Sequence, residues 1–395
     1  MKNFSVKFVL LLSFGFLAYC GKDRDDKKEN RPSDQEQLPE GKEHVPEDEK
    51  SPQLSLFAQK CASSRQFLDE NSDMGEVLPP SPQVLDLEEL ESNLQGDGIE
   101  GWLHAAIPAF NTFVFTYRKP DDFFTNYQFP LIVKDPSLMS SFATLQRHDK
   151  LRIKGAYFDH ISPQKHIVVT EFALLEKWEG KNYQNNYQHE KALPKELAGK
   201  TEAVVVVHAV EQLGKVLIVE YKDYVVQVIA EDTTLTQGLY RGDKIRLRFK
   251  ADFVENRPIH LYLDINHPQP VELIERLVDM HNRQATLEGC LVMFPKSPQI
   301  IFDIYALMEV DENGLKLNWT LPNFESFEAF QAIREKFAAK WDEHKDKAIN
   351  DRNKMVNLNI HVKATGKMNI TSPNQANPQL LLESPDSVIL EYTGY

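Results

Sequence analysis

Two ten-residue stretches carry the densest set of side chains able to grip an anion. Residues 145–154 read LQRHDKLRIK and residues 239–248 read LYRGDKIRLR. Arg147, Lys150, Arg152 and Lys154 recur as Arg241, Lys244, Arg246 and Arg248. Strand alternation sets Arg246 and Arg248 on one face. With Tyr157 and Tyr240 nearby they would supply the charge and stacking of a single-strand nucleic-acid groove. The competing reading is the solvent face of a half-buried strand, and the acidic total favours it. A second cluster, Phe123, Phe124 and Tyr127, follows Pro120-Asp121-Asp122 in a loop. Such aromatics would hold a ligand or partner if exposed. Packing against their own domain is the stronger reading, because large apolar side chains are mostly buried.

Other reactive residues do not assemble into a catalytic set. His104 and His208 stand in the matching phrases LHA and VHA. A metal or pH-sensing pair is one reading, and shared descent of two domains explains the match more simply. There is no HExxH, no GxSxG and no phosphate loop. Cys61 and Cys290 are isolated, with no CxxC spacing for zinc. Cys290 lies in the apolar stretch LEGCLVMF and reads as a buried thiol, with its pairing to Cys61 left open. The expectation is a chain that is not an enzyme, with no metal and no cofactor.

The N-terminus gives an address. Lys2 and Lys7 precede an uncharged run, Phe8 to Tyr19, and the charged stretch GKDRDDKKEN follows Cys20. This is the layout of a secretory signal, and the run is shorter than the ~20 residues needed to span a bilayer. Its end, Leu17-Ala18-Tyr19-Cys20, resembles a lipobox of bacterial lipoproteins, with Tyr19 where that family usually has a small residue. The resemblance implies removal of residues 1–19, lipidation of Cys20 and display on a membrane of the cell envelope outside the cytoplasm, with the outer membrane expected. Acyl chains on that cysteine would give stable anchoring.

Residues 20–53 are rich in Asp, Glu, Lys and Pro and contain hardly any large apolar side chain, so they read as a disordered tether. The whole chain has 395 residues and a formal net charge of −14. Each neutralised phosphate needs its own cation, so nucleic acid is expected to be an unlikely partner. An envelope or extracellular macromolecule is the expected one.

The elements that position these residues are mostly strands. Residues 54–98 read as a helical connector, with helical stretches at 54–74 and in VLDLEELESNL. Over 99–180 and again over 200–266, three strands, a short linker and two strands succeed one another around the repeated decapeptide. That order resembles an OB-fold, a five-stranded Greek-key barrel. Residues 267–283 read as a linking helix. A third, altered copy spans 284–395, with a helix at 325–349 inserted and a hairpin turn at Asp311-Glu312-Asn313-Gly314. The helix carries Phe324, Phe327, Phe330, Phe337, Trp341 and His344 on one face, read as facing its own barrel. The fold class is therefore mainly β, with tandem OB-like barrels. The functional expectation is a membrane-anchored, non-enzymatic binding or scaffolding role. Glycan or nucleic-acid binding through the OB-like faces, or an unrecognised envelope enzyme, are the alternatives.

Overall fold

The computed structural model describes residues 62–68, 84–108, 111–120, 122, 124–158, 163–180, 197, 199–222, 224–252, 260–347, 349–350 and 356–394. They all lie within one unit, Pro52–Tyr395. The signal, Cys20, the tether and Phe123 fall outside the described residues.

The first described element is a strand, β1 (Ser64–Phe67), where the sequence suggests a helix over 54–74. Tertiary pairing overrides local periodicity there, as shown below. Helix α1 (Leu87–Gln95) forms as expected. Asp86 caps it by accepting hydrogen bonds from the amides of Glu88 and Glu89, and Leu90 and Leu94 are buried.

The first barrel contains β2 (Ile99–Ile107), β3 (Thr112–Tyr117), β4 (Tyr127–Val133), α2 (Pro136–Phe142), β5 (Lys150–Phe158) and β6 (His166–Glu176). Its strands close in the order β2-β3-β4-β6-β5. Alternating residues fill it, among them Leu103, Phe113, Phe115, Phe129, Leu151 and Ile153. Helix α2 sits between the third and fourth strands, with Asp135 as N-cap and Pro136 in the first turn.

The second barrel repeats this order. It comprises β7 (Glu202–Glu211), β8 (Val216–Tyr221), β9 (Tyr224–Ile229), a 3₁₀ turn (Thr233–Thr236), β10 (Lys244–Asp252) and β11 (His260–Leu263). Pairing of β11 with both β9 and β10 closes the ring. The linking helix expected over 267–283 is instead β12 (Val271–Glu275) and a 3₁₀ turn at Leu277–Met280. The cause is the neighbour: β12 pairs with β10 over Lys244–Leu247, taking the place that the second half of β6 takes on β5.

The third copy is also a barrel. It runs β13 (Gln284–Phe294), β14 (Ile304–Val310), β15 (Lys316–Thr320), α3 (Phe327–Asp342), β16 (Ile349–Asn350), β17 (Val356–Asn369), β18 (Gln379–Leu381) and β19 (Val388–Tyr392). The ring β13-β14-β15-β18-β17 closes through the β13–β17 pairing. Asp311 makes the expected turn by accepting from the amides of Asn313 and Leu315, and Gly314 takes φ 76°. Helix α3 buries Ile333, Phe337 and Trp341 against its own barrel. Strand β1 pairs with β13 and places Arg65 opposite Leu287. Arg65 then meets Glu309 at 2.8 Å and Glu275 at 3.3 Å, and the Trp319 indole donates to Glu309 at 2.6 Å. Cys290 is disulfide-bonded, which corrects its reading as a free buried thiol. Its partner lies outside the described residues. Cys61 stands three positions before Ser64, which pairs with Glu288.

The repeated decapeptide is a loop running into the fourth strand, with one job in both barrels. Asp149 accepts from the amides of Gln146 and Trp178, both at 2.9 Å. Asp243 accepts from Tyr240 at 2.9 Å and Leu277 at 3.3 Å. The amides of Leu103 and Val207 donate to the carbonyls of Asp149 and Asp243, and Leu103 and Val207 return acceptors to His148 and Gly242. The two aspartates fasten the start of the fourth strand to the first strand and to the chain after the fifth. Lys177 and Arg276 supply the adjacent cations.

Candidate functional site

OB barrels bind ligands mainly through the face of their second and third strands and two flanking loops. In the first barrel that face belongs to β3 and β4, and side chains of the third barrel meet its rim. Gln299, between β13 and β14, is buried there. Its amide donates to the Leu103 carbonyl at 2.9 Å and lies 2.9 Å from His148 Nδ1. Its Oε1 accepts from Thr116 at 3.2 Å and lies 3.1 Å from His104 Nδ1.

Asn374, between β17 and β18, fills the rest. Its Nδ2 donates to the carbonyls of Gln128 at 2.8 Å and Lys165 at 2.9 Å, and its Oδ1 accepts from the Lys165 amide at 2.9 Å. Gln379 donates to Thr125 at 3.0 Å. The second barrel joins through Arg241, which donates to Gln128 Oε1 at 2.7 Å and to the His208 carbonyl at 3.2 Å. A buried carboxamide satisfies a donor and an acceptor at once without a charge to desolvate. Repeated at one junction, such groups fix the three barrels in register.

The two matched histidines lie in this junction. Each is the extra residue of a β-bulge, where the register shifts between Leu103 and Ala105 and between Val207 and Ala209. Burial, joined by the Arg147 charge, holds His104 well below the usual histidine range. Burial and Arg241 lower His208. His208 Nδ1 lies 2.5 Å from Glu220, and although burial opposes it, this hydrogen bond keeps the Glu220 carboxyl below its ordinary value. Nearby, burial pushes Glu211 up to about 8 against the pull of Arg241. Among the described residues no group of three or more His, Cys, Asp or Glu is placed to hold a metal ion.

The candidate binding residues from the sequence are placed differently from a ligand groove. Phe124 packs edge-on against Phe324 and Phe330 at 5.0 and 4.4 Å, and Tyr127 is buried in the first core. This aromatic loop joins two barrels. Arg246 and Arg248 each pair with both Glu202 and Glu272. Lys150 and Arg152 are held by Glu100, and Lys244 by Asp311. The basic strands are thus neutralised by their own neighbours and form the charged skin of half-buried strands. What the sequence reading missed is the carboxamides. The stretch Ser372–Gln379, SPNQANPQ, is the signal that would have shown them, since three of its four amides bridge barrels or brace the loop.

Two of the concave regions among the described residues bear on the candidate residues. One is an aromatic cleft between Phe124, Phe302, Tyr305, Phe330 and Arg334. The other is a groove on the first barrel lined by Asp97, Gly98, Glu100, Arg152, Lys154 and Glu171, with Phe172 and Ala173 at one side.

No protein family matches the chain, and comparison with curated proteins finds no match. Solved structures do. "Crystal structure of p204 HINb domain" is 14% identical over 45% of this chain and 96% of that one, with a TM-score of 0.17. "Structure of murine DNA binding protein bound with ds DNA" is 14% identical over 45% of this chain and 97% of that one, with a TM-score of 0.15. An asparaginyl-tRNA synthetase from Pyrococcus horikoshii is 11% identical over 53% of each chain, with a TM-score of 0.19. Overlaps this slight leave the architecture resting on the chain's own strand pairings. One expectation is corrected: nucleic acid, set aside on the acidic total, stays among the partner classes. Net charge governs long-range attraction, whereas binding follows the local field.

Proposed function

We propose that this chain is a lipid-anchored, non-enzymatic binding scaffold of the cell envelope. Cys20 carries the lipid, the charged stretch to residue 53 is the tether, and three OB-type barrels present one fixed outer surface to a macromolecular partner outside the cytoplasm. The observation that carries the reading is the carboxamide junction. Gln299 reaches β2, the loop at His148 and Thr116 of β3, and Asn374 holds the Gln128 carbonyl at the start of β4, so the chain's own side chains occupy the rim of the first barrel's usual ligand face. That arrangement favours a rigid surface over a barrel that wraps a small ligand in that face. A tether raises the effective concentration of such a body near its membrane.

The test has two parts. Labelled palmitate is incorporated by the full chain and lost in Cys20→Ala, which then leaves the membrane fraction. The full chain, used as bait in an envelope extract, retains a saturable partner identified by mass spectrometry. Labelling that persists in Cys20→Ala sinks the anchor. Retention of only nucleic acid or glycan replaces the protein-scaffold reading with that partner class.

A further inference from the structure

The fifth strand of the first barrel outruns its partner. β4 pairs with β6 over Ile167–Val169 only, while β5 follows β6 on the other side as far as Glu176. Among the described residues, the outer edge of Thr170–Glu176 therefore faces no strand. All of these residues except Phe172 are exposed. Leu174 is 44% exposed and Leu175 37%. An open edge bearing apolar side chains is a template for another strand.

The second barrel has the same feature at the same place. β12 pairs with β10 alone and ends its sheet. Leu174-Leu175-Glu176-Lys177 corresponds to Leu273-Ile274-Glu275-Arg276. Leu174 lies opposite Leu151 and Leu273 opposite Ile245, and in both pairs the register then shifts by one residue. Leu273 and Ile274 are 43% and 45% exposed. Fixing by Asp149 and Asp243 explains why the strands continue past their barrels. It does not explain why both continuations show two large apolar residues to solvent.

We propose that these two strand tails are docking edges for an extended segment of a partner protein, apolar on one face and basic on the other. The inference rests on the scaffold reading and names its binding site. β-addition supplies backbone hydrogen bonds to the open edge, and Leu174, Leu175, Leu273 and Ile274 supply the apolar contact. The charge of the occupant follows from the surroundings. In the groove beside β6, Glu100 already holds Lys150 and Arg152, while Asp97 and Glu171, which also line it, have no ion-pair partner among the described residues. At the second edge Glu272 and Glu275 are already paired with Arg246, Arg248 and Arg65, so there the match between the two tails carries the expectation. With a net charge of −14 on the chain, a cationic segment is attracted and a second copy repelled.

The probe is a fluorescent peptide, Lys-Val-Lys-Val-Lys-Val-Lys, added to the full chain and read by anisotropy. Its control has proline in place of valine, with the same charge and no capacity to extend a sheet. The expected result is saturable binding of two peptides per chain, about tenfold tighter than the control. Leu174→Lys with Leu175→Lys reduces the stoichiometry to one, as does Leu273→Lys with Ile274→Lys. Serine pairs at the same positions repeat the measurement without added charge, and circular dichroism checks that each variant folds. Equal affinity for both peptides, absence of binding, or unchanged stoichiometry in the variants overturns the proposal. If the extract partner is still retained by both lysine variants, the edges are not its site and the scaffold reading stands without them.

Discussion

His148 and Gly242 hold the same left-handed position of a repeated loop, at φ 76° and 87°. Both amides donate to the first strand of their barrel, at 2.8 Å. Glycine takes this conformation without strain. In the first barrel an imidazole is held there by Gln299, 2.9 Å from its Nδ1, and by the edge of Trp178. A Cβ at Gly242 would collide with the Leu277 side chain. Gly242→Ala should therefore cost roughly 1–3 kcal/mol from strain and crowding together, measured by urea denaturation. A cost no larger than at an ordinary surface site would mean that the loop relaxes freely.

Asp149 is fully buried and serves two backbone amides and Lys177. Asp149→Ala leaves both donors unpaired, at about 1–3 kcal/mol each before relaxation. Asp149→Asn keeps one acceptor and should lose less. Hydrogen exchange at Gln146 and Trp178 should quicken in the alanine variant. Unchanged protection there would separate the aspartate from the anchoring of the loop.

Glu211 gives the stability a pH dependence of unusual sign for a carboxylate. Its folded-state pKa is raised to about 8 from 4.5 by burial. The folded chain keeps this proton where the unfolded chain has lost it. The contribution is fully present below 4.5 and is lost as pH rises through about 8. Glu211→Gln removes the titration, so its stability relative to the parent should climb between pH 5 and pH 9, by on the order of a few kcal/mol. Parallel stability curves across that window would refute the assignment.

Arg65 and Glu309 form a largely buried pair, with side chains 17% and 11% exposed. Removing one member strands the other, at roughly 3–5 kcal/mol. Arg65→Ala should reach that range, and Arg65→Ala with Glu309→Gln together should cost less than the separate losses combined. Thermal unfolding of the four chains in a double-mutant cycle reads the coupling. Additive losses would mean that β1 contributes backbone pairing only.

Much of the architecture was legible because it repeats. LQRHDK and LYRGDK marked the start of the fourth strand in two barrels, and Asp311 to Gly314 marked a turn in the third. What misled the reading was local periodicity without its partner. Residues 54–74 and 268–282 have helical spacing, yet β1 and β12 become strands because β13 and β10 offer them edges. Nothing in either stretch names a strand some 200 residues distant for β1 or some 25 for β12. The site residues misled for a related reason. Arg246, Arg248 and Phe124 have the chemistry of a binding surface, but Glu202, Glu272 and Phe330 use it up. Taken singly, Gln299 and Asn374 carry no signal in the sequence, because an isolated carboxamide has no motif. Its role is set by the backbone groups that folding brings to it.

The pairing of β1 with β13 also orders events in time. Arg65 is separated from Glu309 by 244 residues, so it leaves the ribosome, or emerges from a membrane channel, long before its partner. The first and second barrels can close from local neighbours as they appear. The third must wait for its last strands and then recruit a piece from the very front. The described element nearest the N-terminus is thus the first to arrive and the last to be locked, which makes its docking a check that the third barrel has come through.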